Sequence, residues 1–351
     1  MANSLDLRQM SRREFLKLGS ASLLALLAQS KPSYAYAEPF GVQEAGLSMG
    51  RVTTNLVNLY DQPSLDGKVL RTLWQDLVLP ITQVTMGTGE PSYNRTWYEL
   101  NGEGFVHSGS VQPVEVKLND PVASVPEKGL LAEISVPYTD AVWNPIIKKL
   151  VAYRLYYSTT HWILDVLQDA EDQVWYEVLE DFYQFKYFVQ AEHMRILSED
   201  EVSPLSPAVP NTDKKIEVWL RDQVVIAYEG DTQVQMLRCS GGMKYFNHFL
   251  TPTGAFTTDY KRPSRHMVAG SKASANSYDL PGVPWVSFID ENGVSFHGTY
   301  WHNDFGRPRS HGCINLPSAG AKWVYRWTMP SVPFTDQTVY HRNGTNIRIS
   351  L

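Results

Sequence analysis

The chain has 351 residues, long enough for two or three domains. Hydrophobic residues make up 43% and charged residues 19%, the balance of an ordinary globular protein able to bury a core. With 31 basic against 37 acidic residues the formal net charge is −6, which leaves no basic excess for a nucleic-acid surface.

The first 37 residues read as an export segment rather than as part of the fold. Ser11-Arg12-Arg13-Glu14-Phe15-Leu16-Lys17 resembles the twin-arginine signal, and an apolar run follows from Leu18 to Ala28. That run is shorter than the ~20 residues that span a bilayer and has the length of a signal-peptide h-region. Ala35-Tyr36-Ala37 supplies small residues for cleavage before Glu38. Export by the twin-arginine pathway implies the periplasm or cell wall. Residues 1–37 hold five basic and two acidic residues, so the remainder carries 26 and 35, a net charge of −9. Such a chain would stay near an anionic wall through specific contacts, not through charge attraction. No other stretch reads as a membrane span.

Residues 38–46 read as a short linker. From about 47 to 116, short β-type runs alternate with turn residues: Asn55-Leu56-Val57-Asn58-Leu59-Tyr60, Val69-Leu70-Arg71-Thr72-Leu73, Leu77-Val78-Leu79-Pro80-Ile81, Trp97-Tyr98-Glu99-Leu100 and Phe105-Val106. Short strands at this spacing argue for a small barrel, and their order resembles a bacterial SH3-like domain. A repeat follows at a shift of 78 residues: Tyr60 falls on Tyr138, and Trp97-Tyr98-Glu99 on Trp175-Tyr176-Glu177. After a five-residue insertion, Phe105-Val106 matches Phe188-Val189, which predicts a second barrel over about 128–199. The aromatic segment from Asp181 to Tyr187 is either a binding tip or a packing surface against the neighbouring domain. The Trp-Tyr pairs are either core or contacts that tether the chain to the wall. Residues 117–127 and 200–213 are polar and proline-bearing, as domain boundaries are.

From Lys215 the pattern changes. Ile216, Val218 and Leu220 alternate with polar residues, and Val224 to Tyr228 follow as the second arm of a hairpin. Val286 to Ile289 and Val294 to Phe296 flank Glu291-Asn292-Gly293, a strong turn signal, and the second run places His297 at a strand end. Ser318 is the expected N-cap of a helix over about 319–329 that Pro330 stops, with Trp323 and Trp327 packed on the sheet. Asn343-Gly344 turns the chain into a last strand from Asn346 to Ser350.

The chemistry is concentrated in HGTYWHNDFGRPRSHGCIN, His297 to Asn315. Three histidines (His297, His302, His311) share this stretch with Cys313, one of two cysteines in the chain. A cysteine is a good nucleophile only as thiolate, and its free pKa of ~8.5 calls for a base nearby. The flexible Gly312 lets backbone N–H groups turn toward a developing oxyanion. Two other readings stand beside this one: an inert buried thiol, and a zinc site from His297, His302, His311 and Cys313, which have suitable side chains but no compact paired spacing. His302 is expected on a loop or rim.

His297 followed by Ser310-His311-Gly312-Cys313-Ile314-Asn315 resembles the signature of the L,D-transpeptidase (YkuD-type) catalytic domain, and Thr251-Pro252-Thr253-Gly254 resembles that family's TPTG stretch. The resemblance implies that Cys313 is the nucleophile, His297 its base and Gly298 the carbonyl that orients the imidazole. It implies further that His311 and Gly312 lie at the oxyanion site. Ser310, Asn315 (where many members carry arginine), Tyr300, Trp301 and Arg309 are candidates for the substrate groove. Cys239 is expected to be a structural thiol, because pairing with Cys313 would consume the nucleophile. The expected architecture is mostly β: an export segment (1–37), SH3-like barrels at 47–116 and 128–199, and a β-rich catalytic domain with one main helix at 214–351. The implied partners are peptidoglycan stem peptides, with peripheral cell-wall association, no nucleic acid and no cofactor. An L,D-carboxypeptidase, which uses water as acceptor, needs the same residues, and a silent wall-binding protein is the alternative outside enzymes.

Overall fold

Alternating apolar residues in short strands build four sheets in the computed structural model. It describes residues 48–351 except 148–149, 244–249, 271–276 and 343, and these lie within the compact unit Ala45–Leu351. The stretch read above as an export segment (1–37) and the expected linker at 38–46 fall outside the described residues. Among those described, no helix is long and apolar enough to cross a membrane.

The first sheet contains β1 (Met49–Val52), β2 (Leu56–Tyr60), β3 (Val69–Trp74), β4 (Val78–Met86), β5 (Thr96–Leu100), β6 (Gly104–His107) and β7 (Val111–Val114). The second contains β8 (Leu130–Ile134), β9 (Tyr138–Val142), β10 (Val151–Tyr156), β11 (Thr160–Gln168), β12 (Val174–Leu179), β13 (Lys186–Gln190) and β14 (Met194–Ile196). Their orders are β3-β2-β6-β5-β4-β1-β7 and β10-β9-β13-β12-β11-β8-β14, the same path displaced by seven strands. The sequence repeat is therefore a repeat of topology. Trp97, Tyr98, Trp175 and Tyr176 are all buried. These four rings are core, and none is free to contact a wall polymer.

The remaining strands are β15 (Lys214–Trp219), β16 (Val224–Glu229), β17 (Thr232–Arg238), β18 (Gly254–Thr257), β19 (Tyr260–Ala269), β20 (Tyr278–Phe288), β21 (Ser295–Gly298), β22 (Ile314–Leu316), β23 (Val339–Tyr340) and β24 (Asn346–Ser350). They form two five-stranded sheets, β17-β16-β15-β24-β18 and β22-β21-β20-β19-β23. The pairs β15–β24 and β21–β22 are parallel.

The segment after the second sheet is not a loose linker. A capping box from Ser198 and Glu201 starts the short α1 (Glu199–Val202), Val202 is buried, and the Leu205 N–H donates to the Arg326 carbonyl. The second sheet and this segment contribute Leu131, Trp162, Leu197 and Val202 to the apolar core that also holds Ile216, Trp285, Phe296 and Val324. The insertion after β12 packs as well. The Asp181 carboxylate binds Arg265 at 2.8 Å and Arg262 at 3.1 Å. Gly282 on β20 lies so close to the His161 ring that a Cβ there would stand 2.2 Å from it. No larger residue allows that approach.

The main helix, α2 (Ser318–Trp327), starts one residue earlier than expected, with Pro317 as its N-cap and Ser318 as its first helical residue. Proline has no side-chain acceptor, so this helix begins without a side-chain cap, and it ends at Trp327, two residues short of the expected end at 329. At the other end, the buried Lys261 ammonium donates to the carbonyls of Tyr325, Thr328 and Pro330. Lys214 donates to the Trp327 carbonyl at 3.1 Å. These donors satisfy carbonyls the helix leaves open, although burial lowers the pKa of both amines, that of Lys261 strongly. Trp323 stacks on Trp327 at 5.2 Å, with Trp327 in the core.

Candidate active site

The site is built on the parallel pair β21–β22. Its register sets Phe296 opposite Ile314, His297 opposite Asn315 and Gly298 opposite Leu316. Cys313 immediately precedes β22, so the alternation of strand side chains brings Ser295, His297 and Cys313 to one face. Ser295 Oγ is 3.6 Å from Cys313 Sγ, the Ser295 N–H also donates to that sulfur, and the thiol lies 3.6 Å from the Gly293 carbonyl. Sequence reading missed Ser295. Counting two residues back from His297 along its strand would have found the face, though not the register that brings it to the sulfur.

His297 is buried, and its Nδ1 lies 2.9 Å from the Gly298 carbonyl. That carbonyl can only accept, so the ring proton is on Nδ1 and Nε2 carries the free lone pair. Burial pushes the imidazole pKa down to about 4, against the opposing pull of the Gly298 carbonyl. Burial also pushes the Cys313 thiol up, with Ser295 working the other way. Both shifts favour the neutral forms, thiol on Cys313 and imidazole on His297.

Burial and bonding redistribute the other candidates. Gly312 has φ +119°, a conformation that favours glycine. Its N–H, however, donates to Ser310 Oγ at 3.1 Å rather than facing an open oxyanion site. Ser310 also donates to the Cys313 carbonyl, so it fastens this turn and is no groove residue. Thr251 of the TPTG stretch holds the same turn by donating to the Gly312 carbonyl at 2.8 Å. His311 is exposed, with its ring 5.3 Å from that of Tyr278.

Tyr300 does not line a groove. It is 3% exposed, stacks on Tyr156 of the second sheet at 5.2 Å and donates to the Pro281 carbonyl. Trp301 is half-buried, its ring 5.7 Å from His297. Arg309 is bound to Asp304 at 2.7 Å, and Asp304 also takes Arg307 and the Tyr93 hydroxyl.

His302 is not a rim residue but is buried, with Nδ1 accepting from the Asp304 N–H and Nε2 facing the Asn315 carboxamide. Because Nδ1 accepts, the proton is on Nε2, and the Asn315 oxygen is the group that suits it. With both nitrogens engaged, His302 is withdrawn from any zinc quartet with Cys313. Asn315 is buried too, and its backbone pairs with Ser240. Cys239 and Cys313 are both free thiols. Cys239 is fully buried, and desolvation pushes its pKa up to about 12.

Three buried imidazoles make stability pH-dependent. Burial holds His161 and His302 down to about 3 and His297 to about 4. Below pH ~6.5 the unfolded chain takes up protons that the folded chain refuses, so stability falls as pH drops from 6.5 toward 4. Each histidine contributes a loss of about 2 to 3 kcal/mol by pH 4.5, at 1.36 kcal/mol per unit. His266 has the opposite sign. Burial lowers its pKa, but hydrogen bonds to Glu180 and Asp279 raise it on balance, so its contribution is complete below 6.5 and fades only at higher pH. The melting temperature is expected to fall steeply between pH 6.5 and 4.5, and less steeply in His161→Asn. Equal slopes in the two chains would refute this origin.

The parallel pair thus sets a cysteine and a histidine on one face of adjoining strands, the residue types of a thiol nucleophile and its base. Residues 213–349 match the family model of the L,D-transpeptidase (YkuD) catalytic domain. The chain thus carries a YkuD-type catalytic domain at its C-terminal side. It is 28% identical over 141 residues to YciB of Bacillus subtilis, which is assigned to the L,D-transpeptidases; the match covers 36% of this chain and 69% of YciB. Among solved structures, an Enterococcus faecium L,D-transpeptidase is 22% identical with a TM-score of 0.32, covering 39% of this chain and 50% of that one. A Mycobacterium smegmatis L,D-transpeptidase is 17% identical with a TM-score of 0.33, covering 77% of this chain and 100% of that one. The match spans about half the length of the first of these structures.

Proposed function

We propose that this protein is a peptidoglycan L,D-transpeptidase. The observation that carries the reading is the neutral, buried His297, oriented by the Gly298 carbonyl on the strand beside Cys313. Cys313 Sγ attacks the carbonyl of the L,D amide between the third and fourth residues of a donor stem peptide, while His297 Nε2 takes the thiol proton. His297 then gives that proton to the departing amine of the terminal D-amino acid, leaving a thioester on Cys313. The acceptor amine of a second stem attacks the thioester, His297 takes its proton, and collapse returns the thiol and a 3–3 type cross-link. The imidazole tautomer is set here by a backbone carbonyl, where a Ser-His-Asp triad uses a carboxylate. With the Gly312 N–H engaged by Ser310, the oxyanion falls to the Cys313 N–H, with His311 at the mouth of the site.

The export segment fits twin-arginine translocation to the periplasm or cell wall, where stem peptides are found. The two repeated sheets are read as SH3-like modules in peripheral contact with that wall. Mass spectrometry of products from purified muropeptides tests the activity. A cross-linked dimer that has lost one terminal D-residue is the expected product. A shortened monomer alone would make the enzyme an L,D-carboxypeptidase, and unchanged substrate would leave a silent domain.

A further inference from the structure

We infer that the first sheet unit is a positioning element of the active-site loop, acting through Arg51 on the Tyr300 carbonyl and through Ser108–Gly109 on Asn303–Asp304. The loop in question joins the two halves of the site, running from His297 on β21 to Cys313 before β22. The activity arm of the test below rests on the function proposed above; the other arm does not.

Arg51 lies on β1 and is 1% exposed. Its Nε and Nη2 donate to Gln112 Oε1 at 3.3 and 2.7 Å, Nη1 to Asp76 at 3.0 Å, and Nη2 also to the Tyr300 carbonyl at 2.5 Å. The guanidinium sits 4.2 Å from the centroid of the Tyr156 ring. Its one carboxylate partner, Asp76, is shared with Arg154 at 3.1 Å. Taking a guanidinium out of water is costly, and an apolar residue of similar volume would fill the space at less cost. What only the arginine supplies there is a rigid fork of donors that joins β1 and β7 to a carbonyl 249 positions away. That carbonyl belongs to the residue before Trp301. The Tyr300 and Trp301 rings meet edge-on at 5.0 Å, and Trp301 packs on His297 at 5.7 Å.

A second grip lies farther along the loop. The Asn303 N–H donates to the Gly109 carbonyl at 3.1 Å, Asn303 Nδ2 to the Ser108 carbonyl at 3.3 Å, and the Tyr93 hydroxyl to Asp304 at 2.9 Å. A Cβ on Gly109 would stand 2.6 to 2.8 Å from three side-chain atoms of Asp304. Asp304 in turn anchors Arg309, which leads into the Ser310–Cys313 turn, and its N–H fixes His302 against Asn315. The loop is therefore seated on the first sheet unit at two places, one on either side of Trp301. Loosening either grip releases Trp301 from His297 and admits water to an imidazole whose neutrality depends on burial.

The test uses the full chain with 15N-labelled histidine, in wild type, Arg51→Met, Arg51→Lys and Gly109→Ala. Nuclear magnetic resonance follows the His297 titration without any substrate, and intact-mass kinetics follow acylation of Cys313 by a carbapenem, whose strained lactam carbonyl a thiol nucleophile opens without losing a leaving group. In Arg51→Met and Gly109→Ala the His297 pKa is expected to rise toward 6.5 by about one unit or more. Acylation should slow by about tenfold, with a cooperative melt retained. Arg51→Lys, which can still donate to one carbonyl, should fall between. Should Arg51→Met fail to fold, Gly109→Ala decides, because it removes no polar partner. A Gly109→Ala chain that titrates and acylates as wild type does overturns the inference. A wild type that accepts neither carbapenem nor stem peptide would sink the proposed activity, and the His297 titration would still judge the loop.

Discussion

A Cys313→Ala chain is expected to take up no acyl group from a carbapenem or a stem peptide, while Cys239→Ala acylates at nearly the wild-type rate. The two thiols differ in surroundings, not in kind. Cys313 is partly exposed, faces Ser295 and stands beside the strand that carries His297. Cys239 has no exposed surface, and burial pushes its thiol up to about 12. Deleting a covalent nucleophile costs on the order of 10^4- to 10^6-fold in rate, since no other group replaces the acyl acceptor. Deleting the Cys239 sulfur leaves a small apolar void, costing about 1 kcal/mol of stability and nothing in chemistry. Intact-mass spectra give both results in one experiment. An adduct on Cys313→Ala would place the nucleophile elsewhere. Equal loss in the two folded variants would mean that the sulfurs act together.

Much of this arrangement is legible in the sequence because it is local. Alternation marks the strands. The spacing of Tyr60 and Trp97-Tyr98-Glu99 against Tyr138 and Trp175-Tyr176-Glu177 marks a repeat that the two strand orders display as topology. Alternation also defines the face of a strand, which is enough to carry His297 to its end. What it does not define is register. Ser295 reaches Cys313 only because β21 and β22 are parallel with His297 opposite Asn315, and nothing within either short segment fixes that pairing. The loop residues mislead for a related reason. Tyr300, His302 and Asn315 look like polar or aromatic rim and groove residues in isolation, yet all three are buried, Tyr300 and Asn315 against groups outside their own segment and His302 against the far end of the loop. Arg51 and Tyr156 hold Tyr300, and Ser240 pairs with Asn315, which in turn faces His302. A loop's exposure is a tertiary property. The Gly312 N–H likewise reads as an oxyanion donor until the Ser310 hydroxyl is seen to occupy it.

A chain starting at Asp213 is expected to melt well below the full chain and to lose acylation together with any wall contact. From sequence alone, a tethering role for the two modules predicts that such a fragment keeps turnover on small soluble muropeptides. The packing argues otherwise. Leu131, Trp162, Leu197 and Val202 belong to the same apolar core as Ile216, Trp285 and Phe296, and the cut removes all four. At about 1.5 to 3 kcal/mol per buried side chain, and allowing for partial collapse over the gap, the loss is about 5 kcal/mol. That is a large share of the roughly 5 to 15 kcal/mol that separates folded from unfolded chains, and corresponds to about 10 to 20 °C in melting temperature. Polar partners go with it. The Pro263 carbonyl loses the Thr160 hydroxyl, His266 loses Glu180, and the Tyr300 carbonyl loses Arg51. Water takes the place of the lost partners, so each bond forfeits only its net contribution of about 0.5 to 1.5 kcal/mol, more where charge is involved. Circular dichroism melts and intact-mass acylation of the fragment and the full chain provide the check. A fragment that melts within a few degrees of the full chain and acylates at its rate would show that the modules are appended rather than built in. If the fragment fails as expected, truncation cannot separate catalysis from tethering. Wall binding must then be tested with substitutions at exposed side chains such as Trp74, which is 69% exposed, in a chain whose core is intact.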